Sequence, residues 1–137
     1  MKISNVIDEI HAKQMQPLVL AMIGDSVQTL FVRTEIANKY GVKVNKMNKL
    51  VSSVVQAGSQ FKTFKKIEET LTENEIDIAR RARNTHIHTK AKNFSYNEYI
   101  YATALEAVIG YLYLTGKEDR LNVILEKSLE ELNLDLL

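Results

Sequence analysis

Residues Tyr99–Leu114 read YIYATALEAVIGYLYL, an apolar run whose single charge, Glu106, stands near its middle. A helix with no polar face has nothing to offer water and belongs at the centre of a domain. The run is too short to span a bilayer comfortably, and an acid at its midpoint argues for a buried helix. Leu18–Phe31, LVLAMIGDSVQTLF, has the same character and again holds one acid, Asp25. Two central apolar helices, Leu18–Val32 and Tyr99–Leu114, are therefore expected. Proline occurs once and glycine five times, which leaves little material for the tight turns of a sandwich or barrel. The fold class is all-α.

The surrounding composition agrees. A chain of 137 residues is predicted to be a single domain, 1–137, and at 45% hydrophobic and 26% charged it suits a soluble globular protein. With no cysteine, disulfide scaffolds, thiolate metal sites and cysteine catalysis are excluded. The first residues, MKISNVIDEIHAK, lack the apolar core of a signal peptide, so the expected location is the cytoplasm, with no membrane partner.

Net charge is only +1, but the charges are segregated. Between Ile36 and Ile67 lie Lys39, Lys43, Lys46, Lys49, Lys62, Lys65 and Lys66 without one acid. Arg80, Arg81, Arg83, Lys90 and Lys92 form a second basic stretch, while acids gather in Glu68–Asp77 and Glu118–Asp135. Such a chain either presents a basic face to a polyanion or carries ordinary solvated helix faces.

Local signals divide the chain into helices. Ile3, Val6, Ile7 and Ile10 give Ile3–Lys13 one apolar face. Pro17 suits the first turn of a helix running to about Tyr40, which Gly41 terminates. Asn45 is expected to cap one long helix carrying Met47, Leu50, Val51, Val54, Val55, Phe61 and Phe64 inward. Thr72 with Glu75 reads as a capping box opening a helix to about Arg83, and Ser95 with Glu98 as another opening the apolar helix that Gly116 ends. Asn84–Phe94 is polar and aperiodic, a loop. A last amphipathic helix spans about Lys117–Leu132, with Leu121, Ile124, Leu125 and Leu129 inward.

The two acids carry the chemistry. An unpaired buried carboxylate needs a cation, a hydrogen-bond network or a raised pKa. Arg33, the one basic residue near Asp25 in sequence, lies two turns away. If Gly24 and Gly110 let the two apolar helices approach closely, Asp25 and Glu106 face a common site. Converging carboxylates repel, and a divalent cation with oxygen ligands, Mg²⁺ or Mn²⁺, resolves the conflict. The alternative is that each acid caps or bridges structural groups in the core.

Ile23-Gly24-Asp25-Ser26-Val27 resembles the L-E-x-L-G-D-[SA]-V signature of the ribonuclease III family. Leu105-Glu106-Ala107-Val108-Ile109-Gly110 is similar to that family's second motif, D-x-x-E-A-[LVI]-[IL]-G. The resemblance covers about Pro17–Leu114. In a chain this short, without a double-stranded-RNA-binding domain, and with Arg81-Ala82-Arg83-Asn84, it looks like the Mini-III branch. Two family acids are missing: Ala21 stands four residues before Asp25 and Thr103 three before Glu106. The Mini-III branch shows similar losses.

The resemblance implies a compact helical catalytic domain that acts as a homodimer. It implies an Mg²⁺-dependent endoribonuclease (Mn²⁺ substituting) that hydrolyses double-stranded RNA and matures precursor 23S ribosomal RNA. Asp25 and Glu106 would hold the metal and act in catalysis. Duplex RNA is read mainly through phosphates and 2′-hydroxyls, so Arg80, Arg81, Arg83, Asn84, Lys90, Lys92, Lys46 and Lys49 are the expected RNA contacts. His86 and His88 are weaker metal candidates, since a polar loop more often shows such residues to phosphate or solvent. Tyr99, Tyr101, Tyr111 and Tyr113 are expected in the core or at a dimer interface, and Glu126 with Glu130 on a solvated face. Two other readings stay open: a catalytically silent module binding structured RNA or a ribosomal particle, and a helical interaction protein with no metal site.

Overall fold

Asp8 and Thr72 open their helices with side-chain caps, and glycines at positive φ follow two of the helix ends. The computed structural model describes Ile3, residues 5–85 and residues 94–137, the side chains of Phe94 and Ser95 excepted. It contains α1 (Glu9–Gln14), α2 (Pro17–Lys39), α3 (Val44–Val55), α4 (Ala57–Ile67), α5 (Glu73–Asn84), α6 (Phe94–Leu114) and α7 (Glu118–Ser128). Short 3₁₀ turns follow at Glu68–Thr70, Leu129–Glu131 and Leu134–Leu136. No strand occurs among the described residues, so the all-α class holds. Pro17 opens α2, and Gly41 and Gly116, at φ 27° and 71°, follow the ends of α2 and α6. The Thr72–Glu75 capping box forms with both of its hydrogen bonds. The Ser95–Glu98 box and most of the Asn84–Phe94 loop lie outside the described residues.

Three boundaries differ from expectation. The opening amphipathic segment is helical only over Glu9–Gln14, capped by the Asp8 side chain. The long helix expected to be capped by Asn45 starts at Val44, after Lys43, with no side-chain cap, and it is two helices, because Gln56 is extended (ψ 155°) and breaks it. The break turns the second half, so that Ser59, Gln60, Thr63, Phe64 and Ile67 all face inward. The last helix ends at Ser128 and tightens into a 3₁₀ turn rather than running on to Leu132.

α6 is the centre. Every residue from Ala102 to Leu112 is buried except Glu106, and α2, α4, α5 and α7 pack around it. Burial of Leu105, Val108, Ile109 and Leu112, each worth roughly 1.5–3 kcal/mol, is a large share of what holds the bundle. A smaller cluster joins Val32 and Ile36 of α2 to Leu50, Val51 and Val54 of α3. α2 packs along one face on α6 and leaves another face open. It buries Leu20, Ala21, Gly24, Val27 and Gln28 against α6, but exposes Leu18, Val19, Met22 and Leu30.

Candidate active site

α2 and α6 meet glycine to glycine. A Cβ on Gly24 would overlap the carbonyl oxygen of Glu106, and one on Gly110 would overlap that of Leu20. Only glycine permits this approach, because the backbones themselves touch. The crossing seats Asp25 on α2 beside Glu106 on α6, within hydrogen-bonding reach of each other. Asp25 is exposed and Glu106 half-buried, so the pair lies at the surface end of the crossing rather than deep in the core.

Among the described residues no basic side chain contributes to holding Glu106 ionised. Burial, then a hydrogen bond shared with Asp25, pushes the Glu106 carboxyl up to about 8, and the Asp25 charge adds to this. Gln60 on α4 works the other way: its Nε2 donates to Glu106 Oε2 at 3.3 Å and to Gln28 Oε1 at 2.8 Å. Gln60 and Gln28 are both buried, and Gln28 Nε2 has no partner among the described residues. Neither glutamine is visible as a site residue in the sequence. Gln28 reads as one polar position in an apolar helix, and Gln60 reaches the acids only because α4 breaks from α3 at Gln56.

The positions of the two missing acids are filled inertly. Ala21 is buried, and the Thr103 hydroxyl donates back to the Tyr99 carbonyl at 3.0 Å. Among the described residues no group of three histidine, cysteine or carboxylate side chains converges. Two converging carboxylates, with no basic side chain among the described residues contributing to Glu106, are a fitting oxygen donor set for a hard divalent ion, which would take the place of the Glu106 proton. Its remaining positions would go to water and phosphate oxygens.

The expected RNA contacts divide. Lys46 and Lys49 stand exposed on α3, and Asn84 is exposed at the end of α5. Arg80 is exposed but paired with Asp77 at 2.6 Å. Arg81 is engaged in the fold: its guanidinium donates to the Lys13 and Met15 carbonyls at 2.8 and 3.4 Å, closing the C-terminal end of α1. Arg83 lies over the Tyr101 ring and donates to its hydroxyl at 3.2 Å. Lys65 stands 4.2 Å from the same ring, while Lys66 is paired with Glu130 and Glu131. Tyr111 is buried and donates to Glu9 at 2.6 Å, and Tyr99 is exposed. His86, His88, Lys90 and Lys92 lie outside the described residues.

The ribonuclease III domain family matches residues 18–117, which include the whole crossing and both acids. The chain belongs to the ribonuclease III family. Within that family its likeness is to the Mini-III branch. It is 42% identical to a Mini-ribonuclease 3 of Staphylococcus aureus over 90% of this chain and 93% of that one. It is 45% identical to a Mini-ribonuclease 3 of Clostridium tetani, over 83% and 76%. A crystal structure of a Fusobacterium nucleatum protein superposes with a TM-score of 0.78 at 33% identity, covering 90% of this chain and 98% of that one. Family membership makes the chain a ribonuclease, with RNA as its substrate class. Among the described residues no helix is long and apolar enough to cross a membrane.

Proposed function

We propose that the protein is a divalent-metal-dependent endoribonuclease that hydrolyses double-stranded RNA as a homodimer. The observation that carries this reading is the pairing of Asp25 and Glu106 across the Gly24–Gly110 crossing. Asp25 and Glu106 would hold Mg²⁺, or Mn²⁺ in its place. Such an ion lowers the pKa of an attacking water and stabilises charge on the leaving oxygen. Asp25, the more exposed of the two, faces the solvent from which water and substrate arrive. Glu106 is held from behind by Gln60.

The homodimer is supported by the open face of α2. Leu18, Met22 and Leu30, spaced in multiples of four, form an apolar stripe with Val19, and Asp25 borders it. Beside the stripe is a cavity of about 250 Å³ lined by Ile23, Ser26, Val27, Leu30 and Tyr113. A contiguous exposed apolar face of this kind marks an association surface. A two-fold axis there would pair two Asp25–Glu106 sites against the two strands of a duplex. Lys46, Lys49, Asn84 and Arg80, the last paired with Asp77, are the expected RNA contacts that the fold leaves exposed, and Lys90 and Lys92 rest on sequence alone. Precursor 23S ribosomal RNA in the cytoplasm is the substrate and setting that the Mini-III likeness supports.

The test is cleavage of duplex RNA with and without Mg²⁺, for wild type and for Asp25→Asn and Glu106→Gln. Cleavage that needs Mg²⁺ and is lost in both variants supports the reading. Ala21 and Thr103 favour the second reading, a catalytically silent RNA-binding module, which binds the duplex and leaves it whole with or without the ion.

A further inference from the structure

The Glu106 carboxylate has to be held in one orientation to share a cation with Asp25, and neither sequence motif supplies a residue that holds it. Gln60 does so geometrically: it is 3% exposed, and its one amide nitrogen reaches both Glu106 Oε2 and Gln28 Oε1. A glutamine amide has a donor end and an acceptor end, and with Glu106 ionised, as it is when it holds a cation, flipping Gln60 would set its oxygen against two acceptors. The Gln28 oxygen therefore keeps the donor end of Gln60 on Glu106. The arrangement has a cost, because Gln28 is fully buried and its own Nε2 is unpartnered among the described residues. An apolar side chain at that place in an apolar helix would avoid an unmade hydrogen bond. A buried polar pair that does not complete its own bonding, yet ends on a Glu106 oxygen, points to a role in the site rather than in the core.

We propose that Gln60 is a positioning residue that orients the Glu106 carboxylate toward the divalent cation it shares with Asp25, and that Gln28 acts through Gln60 by fixing its amide. The proposal rests on the metal-dependent reading above. Hydrogen bonds to a ligating carboxylate tune the site, and removing one typically weakens metal affinity by about ten- to a hundredfold.

The experiment is titration of the full chain, without RNA, with Mn²⁺, following the decrease of the free-ion paramagnetic signal. The proteins are wild type, Asp25→Asn, Gln60→Leu, Gln28→Met and the double variant Gln60→Leu/Gln28→Met. Gln60→Leu should weaken Mn²⁺ binding by about tenfold or more. Gln28→Met should weaken it in the same direction while its melting temperature stays at or above that of wild type, because the unpartnered amide is gone. The double variant should bind no worse than Gln60→Leu, since both substitutions act through the same hydrogen bond. At saturating Mg²⁺, Gln60→Leu should lower kcat for duplex RNA and leave KM unchanged. Wild-type Mn²⁺ affinity in both glutamine variants, with affinity abolished in Asp25→Asn, overturns the proposal and leaves the metal reading standing. Wild-type affinity in Asp25→Asn overturns both. Should Gln60→Leu fail to fold, Gln28→Met decides by the same measurement, because methionine suits a buried helical position.

Discussion

Burial, then the hydrogen bond and charge of Asp25, raise the Glu106 carboxyl in the folded protein, and this has a measurable consequence. With no cation bound, the folded protein keeps a proton on Glu106 up to about pH 8, whereas the unfolded chain releases it at an ordinary 4.5. Below the lower value both states are protonated and the group is neutral to stability. Between the two values the folded state binds the extra proton, so stability falls as pH rises, and above about 8 the decline is complete. Melting temperature of metal-stripped protein should therefore decline from about pH 5 to 8 in wild type. Glu106→Gln should flatten that decline, because an amide does not titrate. Asp25→Asn should shift it to lower pH by removing the neighbouring charge. An unchanged profile in both would mean that Glu106 does not hold its proton above the ordinary carboxylate range. Arg81 gives a second residue-scale prediction. Arg81→Ala should lower the melting temperature by releasing the Lys13 and Met15 carbonyls, and leave the salt dependence of duplex binding as it was.

At the scale of elements the decisive packing is between α2 and α6. Gly24→Ala or Gly110→Ala places a methyl group inside a facing backbone carbonyl, and neither helix can yield without displacing its whole turn. Overpacking of this kind costs on the order of 1–3 kcal/mol or more, and it would also part Asp25 from Glu106. Gly58→Ala is the control. There the added Cβ meets only the Glu98 carboxylate, the far end of a flexible side chain, at 2.8 Å, and alanine is the better helix former. Thermal melts of the three variants should show a clear destabilisation at Gly24 and Gly110, and none at Gly58. Equal destabilisation at all three would remove the close crossing as the organising feature.

On the scale of the whole molecule, two surfaces remain to be used. Met22 is 74% exposed at the middle of the apolar stripe of α2. Met22→Glu should convert a homodimer into a monomer, read by sedimentation at micromolar concentration, without lowering the helix content seen by circular dichroism. A wild-type protein sedimenting only near 15.6 kDa would remove the homodimer. The basic surface is tested by Lys46→Ala/Lys49→Ala. For each phosphate that the variant no longer touches, the log–log salt slope of duplex-RNA binding, measured in Ca²⁺, should become shallower by somewhat under one unit. An unchanged slope would place the RNA-binding face elsewhere.

Local chemistry alone determined much of this protein. Hydropathy read Tyr99–Leu114 as the buried centre, Pro17, Gly41 and the Thr72–Glu75 box marked helix ends, and the residues around Asp25 and Glu106 carried the resemblance to the family motifs. These are properties of neighbouring residues, so they survive without a fold. What depended on long-range packing was not legible. α2 reads as apolar all round, but one face has no partner among the described residues of the chain, and only its packing against α6 shows which face that is. Arg81 reads as a cation for RNA, yet its guanidinium is taken by carbonyls 66 and 68 residues away. Gln60 reads as an ordinary polar position. It becomes part of the site because Gln56 turns α4, bringing its amide to a carboxylate 46 residues distant, and no pattern of adjacent residues encodes a hydrogen bond of that span.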